Sequence, residues 1–191
     1  MRGPEQNLRL TAFTGVVLLV LLAVEGFTLL SLRSMLSLHI FVGVLVVPIV
    51  LLKLGSTGYR FVRYYTGNPD YVEAGPPPLL LRLLGPIVVV STLVLLGTGL
   101  ALVAMGPSAR GVLLLHKASF VVWLGALGAH VLGHLQRVQR AVRAECTDRD
   151  ERGPAGWRLL LVAAAVVAGA VAAVALLPDS APWVHSFGFD R

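Results

Sequence analysis

The sequence predicts an all-α membrane protein, a bundle of about five transmembrane helices in a single domain covering residues 1–191. The chain is 56% hydrophobic and only 14% charged, whereas soluble domains carry roughly 25% charged residues. Apolar runs of about 20 residues, long enough to cross a hydrocarbon layer of roughly 30 Å, recur along the chain. In lipid such runs satisfy their backbone amides only as helices, so the fold class follows from their length.

Five apolar spans are expected as helices, in the order 10–32, 36–54, 79–105, 111–136 and 157–177. Two longer connections separate them. The loop 55–78 is rich in tyrosine and arginine, which is typical of a membrane interface, and the loop 137–156 carries mixed charge. The only cysteine, Cys146, lies in the second of these loops, so an internal disulfide is excluded.

The basic residues predict the orientation, because loops rich in Lys and Arg stay in the cytoplasm. Both loops, 55–78 and 137–156, therefore lie inside, and the tail 178–191 lies outside. We expect the inner membrane of a prokaryote, with the N-terminus inside. The net charge of +6 is spread between apolar spans rather than over one soluble face, which argues against nucleic-acid binding. The inner side would carry Arg2, Arg9, Lys53, Arg60, Arg63, Arg82, Arg137, Arg140, Arg143, Arg149, Arg152 and Arg158, and the outer side Arg33, Arg110, Lys117 and Arg191.

Four of the five histidines fall inside apolar spans, where an imidazole needs a partner and becomes a functional candidate. His39 and His116 each lie about five residues, or roughly 7 Å, inside the outer ends of two parallel helices. Equal depth is what one iron between two axial imidazoles requires. Gly43, one turn from His39, would let a flat macrocycle approach the backbone, and Arg33 and Lys117 are cations for its propionates.

Other polar side chains in the spans have several interpretations. His130 lies about 21 Å along the helix from His116, so one helix would serve two stacked haems. Lys53 at similar depth either ligates a second iron or extends its amine to the interface. His134 anchors a propionate, contacts a quinone or meets water. Glu25 tunes a ligand histidine, relays protons, or is a protonated side chain bonded to a neighbouring helix.

Two motifs carry a family resemblance. Leu38-His39-Ile40-Phe41-Val42-Gly43 and Leu114-Leu115-His116, followed by His130, resemble the second and fourth helices of b-type cytochrome subunits. These subunits anchor formate dehydrogenases, as the gamma subunit, and nickel-iron hydrogenases. The resemblance implies a four-helix cytochrome b core plus one extra helix, with haem b held by His39 and His116. It also implies an inner haem at His130, yet the family's first-helix histidine has no counterpart in Arg9–Gly15.

The sequence therefore predicts a membrane b-type cytochrome that transfers electrons between a redox protein on the outer face and the quinone pool or another acceptor. At most it would be the haem-carrying membrane subunit of an oxidoreductase. One haem is expected, and a second haem and a bound quinone stay open. Two alternatives remain: a haem-free structural membrane subunit, and a histidine-lined pathway for transition metals or protons.

Overall fold

The computed structural model describes residues 2–75, 79–147 and 156–188, and of residues 2, 80–81, 134–147 and 187–188 it describes the backbone alone. The described chain is helical and contains no strand. Short 3-10 turns at Leu29–Ser31 and Leu177–Ser180 join successive helices. The helices are α1 (Arg2–Thr28), α2 (Leu32–Tyr65), α3 (Pro69–Glu73), α4 (Leu79–Met105), α5 (Arg110–Thr147), α6 (Gly156–Leu176) and α7 (Ala181–Gly188).

Within the described residues, four stretches are long and apolar enough to cross a membrane: Gly3–Tyr65, Arg82–Met105, Arg110–Gly133 and Gly156–Ser186. The first stretch contains both α1 and α2, which fold back on each other at the 3-10 turn. Thr28 meets His39 near the turn, and Thr11 meets Ser56 far from it, so the two helices are antiparallel. Five long helices result, and the chain is a multi-pass membrane protein.

Helix ends differ from the expected boundaries where polar residues follow an apolar run. Helix α2 continues to Tyr65 instead of ending near residue 54. It stops where Gly67, with φ of 75°, allows Asn68 N–H to bond the Arg63 carbonyl and Gly67 N–H to bond the Tyr64 carbonyl. Helix α5 likewise continues to Thr147 into the expected inner loop. A helix that begins in lipid can continue into water, so hydropathy alone misplaces these ends. The side chain of Cys146, in that extension, lies outside the described part.

Four of the long helices contact one another in a ring. Helix α1 packs on α2, α2 touches α4, α4 packs on α5, and α5 touches α1. Helices α2 and α5 are therefore diagonal to each other, and they run in the same direction because an antiparallel helix intervenes. The contact between α2 and α4 is sparser than the α1–α2 and α4–α5 contacts. The ring is thus two tightly packed hairpins that meet more loosely.

The fifth long helix, α6, packs outside this ring on α2. A Cβ built on Gly169 would overlap the Leu45 carbonyl oxygen, so only glycine permits this approach. Ala173, one turn later, is 1% exposed. Small residues spaced by four bring membrane helices into backbone contact. The fifth long helix, α6, is therefore held against α2 by close packing of small residues.

The two ends of the bundle carry different short elements. The first, the α7 end, contains the turn Leu29–Ser31 and the C-terminal helix, whose Trp183 is buried against Leu36 and Leu102. The Trp183 indole N–H donates to the Leu102 carbonyl at 2.9 Å. The second, the α3 end, contains the start of α1 and the short helix α3, since Gly3 approaches the Tyr71 hydroxyl. The expected outer tail 178–191 thus includes a docked helix, α7.

Candidate functional site

His39 is held by two side chains from the neighbouring helix α1. Its Nδ1 lies 3.0 Å from Glu25 Oε1 and 3.0 Å from Thr28 Oγ1. The side chains of His39 and Glu25 are 21% and 18% exposed, so both are largely out of contact with solvent or lipid. A carboxylate at this depth needs a cationic or hydrogen-bonding partner, and His39 provides it. The other oxygen, Glu25 Oε2, is buried without a hydrogen bond.

The space beside Gly43 has a different occupant from the one expected. A Cβ built on Gly43 would lie 3.3 Å from Glu25 Oε1, so the missing side chain makes room for the carboxylate that bonds His39. The expected role of Gly43, admission of a flat macrocycle, stays a prediction. Its observed role is to admit the Glu25 side chain.

His116 is held in the same manner by α4. Its Nδ1 lies 3.1 Å from the Leu95 carbonyl oxygen and 3.1 Å from Thr98 Oγ1. A Cβ built on Gly99 would lie 3.3 Å from His116 Cε1, so this glycine gives the ring its place. About two turns after His116, Trp123 Nε1 donates to Thr92 Oγ1 at 3.0 Å. This bond fixes the register of α4 against α5.

These contacts determine the tautomer of both rings. The Leu95 carbonyl only accepts, so Nδ1 of His116 carries the proton. Thr28 Oγ1 donates its own hydrogen to the Glu25 carbonyl, so it accepts from Nδ1 of His39, which therefore carries a proton as well. In neutral imidazole the Nε2 lone pair is then available to a metal. Neither Nε2 forms a hydrogen bond with any residue in the described ranges.

The two histidines lie toward the same end of the bundle. Leu36 and Ile40, on either side of His39, join an apolar cluster with Val112 and Leu113, which precede His116 by one turn. The buried indole of Trp183 completes this cluster. This shared cluster places both histidines toward the α7 end, and their equal depth stays a prediction.

The remaining predicted site residues are not part of this arrangement. Arg33 and Lys117 are exposed at the α7 end, and within the described residues neither forms a hydrogen bond or ion pair. His130 is half-buried on α5, further toward the α3 end. The side chain of His134 lies outside the described part of the chain, so its three interpretations stay predictions.

Lys53 faces α1 in a separate polar cluster. Its Nζ donates to the Thr11 carbonyl at 2.9 Å and would lie 2.9 Å from a Cβ on Gly15. Thr11 and Ser56 bond each other at 2.9 Å beside it. The amine is thus engaged with the backbone of α1, which accounts for a lysine at this depth without a second iron. Ligation by Lys53 stays a prediction.

Sequence reasoning missed the groups that orient the histidines. Thr28 and Thr98 are buried, and each also bonds a carbonyl of its own helix, which is how most threonines in apolar helices behave. Nothing in the sequence separates Thr28 from Thr14, which bonds only the Leu10 carbonyl. The available signal was the Gly-Thr-Gly run at residues 97–99, which opens the surface of α4 around one hydroxyl.

Comparison of the chain with protein-family models, with characterised proteins and with solved structures finds no match.

Proposed function

We propose that this protein is a membrane b-type cytochrome that binds one haem through His39 and His116 and passes electrons along the bilayer normal. One observation carries the proposal: both imidazoles have Nδ1 occupied by a fixed acceptor on a flanking helix, and both have Nε2 left over. Metal-ligating histidines almost always have their other ring nitrogen held in this way.

The helix arrangement supports a broad planar ligand between α2 and α5. The two helices are diagonal in the four-helix ring, and the two hairpins meet loosely. A four-helix cytochrome core with α6 outside it is the interpretation that this ring favours. Among the described residues, no group of three or more His, Cys, Asp or Glu side chains could hold a bare metal ion. Two imidazoles would complete the coordination of an iron to which a porphyrin supplies four nitrogens.

The chain's own residues would bind, orient and tune. Bound haem b would supply a one-electron redox couple. Glu25 and Thr28 hold His39, and the Leu95 carbonyl and Thr98 hold His116, so each ring keeps its orientation without a metal. A carboxylate at Nδ1 makes an imidazole more basic than a carbonyl does. The two ligands would therefore be electronically unequal.

The orientation and the partners belong to the same proposal. The α3 end, with Arg60, Arg63 and Arg82, would lie in the cytoplasm of a prokaryote, and the α7 end would face outward. The histidine pair would then lie near the outer face, within reach of a redox protein there. A quinone or a further acceptor would receive electrons deeper in the membrane, on the side of His130.

A pyridine haemochrome measurement with protein quantitation tests the proposal. The wild-type chain is expected to retain one haem b, and the His39→Ala/His116→Ala variant none. His185→Ala is the matched control, because His185 is exposed on α7, and it should retain the full complement. Circular dichroism and size exclusion check that each variant remains a folded, inserted helical protein.

Other results of this measurement decide between the alternatives. Two haems per chain, falling to one in His130→Ala, would establish a second site at His130. A folded double variant that keeps its haem would refute the assignment of His39 and His116. Zinc or copper bound without a Soret band would favour the metal pathway, and no cofactor at all would favour a structural subunit.

A further inference from the structure

Three arginines at the α3 end form what we call the arginine collar: Arg60 and Arg63 on α2, and Arg82 on α4. Helix α2 has 34 residues, about 51 Å at 1.5 Å per residue, against a hydrocarbon layer of roughly 30 Å. Its last turns therefore extend past the acyl chains. Arg82 opens the apolar stretch Arg82–Met105, so α4 also reaches the membrane boundary at this level.

Arg63 is fixed by aromatic rings rather than by a carboxylate. Its Cζ lies 5.9 Å from the Tyr59 ring centroid and 6.0 Å from that of Tyr71. Burial raises the pKa of the Tyr71 phenol, so this ring stays neutral beside the guanidinium at pH 7. Arg63 Nε is buried without a hydrogen bond. A planar cation is thus held in place by rings, and no hydrogen bond from it to another residue is seen in the part of the chain that the structure describes.

Arg82 is fixed in the same way on the other side of α2. Its guanidinium donates to the Tyr65 hydroxyl, and its Cζ lies 5.7 Å from the Tyr65 ring centroid. Positions 59 and 63 of α2 are about 200° around the helix from positions 61 and 65. The collar therefore presents guanidinium groups on two opposite faces of the end of α2.

The collar's surroundings combine charge with exposed apolar surface. Phe61 is 62% exposed, Leu83 62% and Leu79 71%. Asp70 and Glu73 of α3 are exposed nearby, yet neither Arg63 nor Arg82 pairs with a carboxylate within the described residues. A lipid with an acyl chain below a phosphate headgroup matches both the charge and the exposed apolar surface.

We infer that the arginine collar is a binding site for the phosphate headgroups of anionic phospholipids in the leaflet at the α3 end. Guanidinium binds phosphate oxygens in a bidentate manner, and stacking on tyrosine leaves its N–H edge available for this. The acyl chains would lie along Leu79, Leu83 and Phe61. The site is distinct from the histidine pair, and it does not depend on the presence of haem.

Native mass spectrometry of the full chain in detergent, with equal amounts of phosphatidylglycerol and phosphatidylcholine, tests the inference. The wild type should retain phosphatidylglycerol preferentially. Each arginine removed should lower this preference about fivefold, which corresponds to ~1 kcal/mol per cation near an anionic surface. Arg63→Gln/Arg82→Gln should thus lose about twenty-five-fold. Arg33→Gln is the matched control, because Arg33 is exposed at the opposite end of α2 and should leave the preference unchanged.

A second arm identifies the source of the phosphate and checks folding. Inorganic phosphate at millimolar concentration should not displace the lipid, and displacement would show a free-anion site instead. Arg82→Lys keeps the charge but loses the planar fork, so it should retain only part of the preference. Equal retention of both lipids by the wild type, or an unchanged preference in a double variant with normal thermal stability, would refute the collar as a headgroup site.

Discussion

The two sides of α2 are stabilised differently, one by close backbone packing and the other by hydrogen bonds between side chains. On the side of α6, Gly169 lies against the Leu45 backbone so closely that no side chain fits. About 120° around the helix, on what we call the open side, His39 is held by hydrogen bonds to side chains of α1. The sealed side gains stability from contact at short distance. The open side instead buries polar groups, which costs free energy unless they are paired as Glu25 and His39 are.

The largest expected effect comes from breaking the sealed side. In Gly169→Val the new side chain meets the Leu45 carbonyl, so α6 must move, and we expect a loss of about 3 kcal/mol. Gly97→Val is the control, because a Cβ on Gly97 meets nothing within 4 Å. Unfolding in mixed micelles with increasing SDS measures the free energy of unfolding of both variants. Equal stability of the two variants would show that the close approach contributes nothing.

Glu25→Gln tests the open side and should have the next largest effect. The amide keeps a hydrogen-bonding side chain beside His39 but removes the negative charge, so haem affinity should fall between about tenfold and a hundredfold. The loss of charge also destabilises ferric iron, and a tenfold change in that preference raises the midpoint potential by about 60 mV. Redox titration measures the shift.

Glu5→Gln is the control for this variant, because Glu5 lies on the same helix and pairs with Arg9 at the surface. It should leave both the affinity and the potential unchanged. A lowered potential in Glu25→Gln, or no change, would mean that the carboxylate does not act on a ligand.

The smallest effect is expected from Thr98→Val, which compares the two ligands. His116 keeps the Leu95 carbonyl and loses only the Thr98 hydroxyl, so about 1 kcal/mol, or roughly fivefold in haem affinity, should be lost. Thr14→Val is matched to it, since Thr14 is also buried but bonds only its own helix. The haem affinity of each variant is measured by competition with apomyoglobin for haem. A loss as large as that of Glu25→Gln would show equal support for the two histidines.

The sequence predicts the lipid-spanning parts best. Helix α4 begins and ends at Leu79 and Met105, as expected, because its apolar run is bounded by proline on one side and by Gly106-Pro107 on the other. Helix α2 was misjudged since its end is set by the Gly67 cap and not by hydropathy. Within the site, His39, His116 and Glu25 were recognisable as polar residues in apolar spans.

The orienting groups of the site were not recognisable in this way. Whether a threonine reaches a neighbouring helix depends on the rotation of both helices about their axes, and the sequence does not encode that rotation locally. Thr28 and Thr98 reach a histidine while Thr14 does not. The same limit applies to Gly43, where the pattern predicted space but not that a carboxylate would fill it.

The hairpin that joins Glu25 to His39 has a consequence for biogenesis. The two residues are close in the chain and meet across a single turn, so their bond can form as soon as the first two helices leave the translocon. The cost of placing a carboxylate in lipid is then offset before α5 has been synthesised. His116 arrives later, on a separate hairpin. The first hairpin can therefore bury Glu25 beside His39 before the second hairpin has been made.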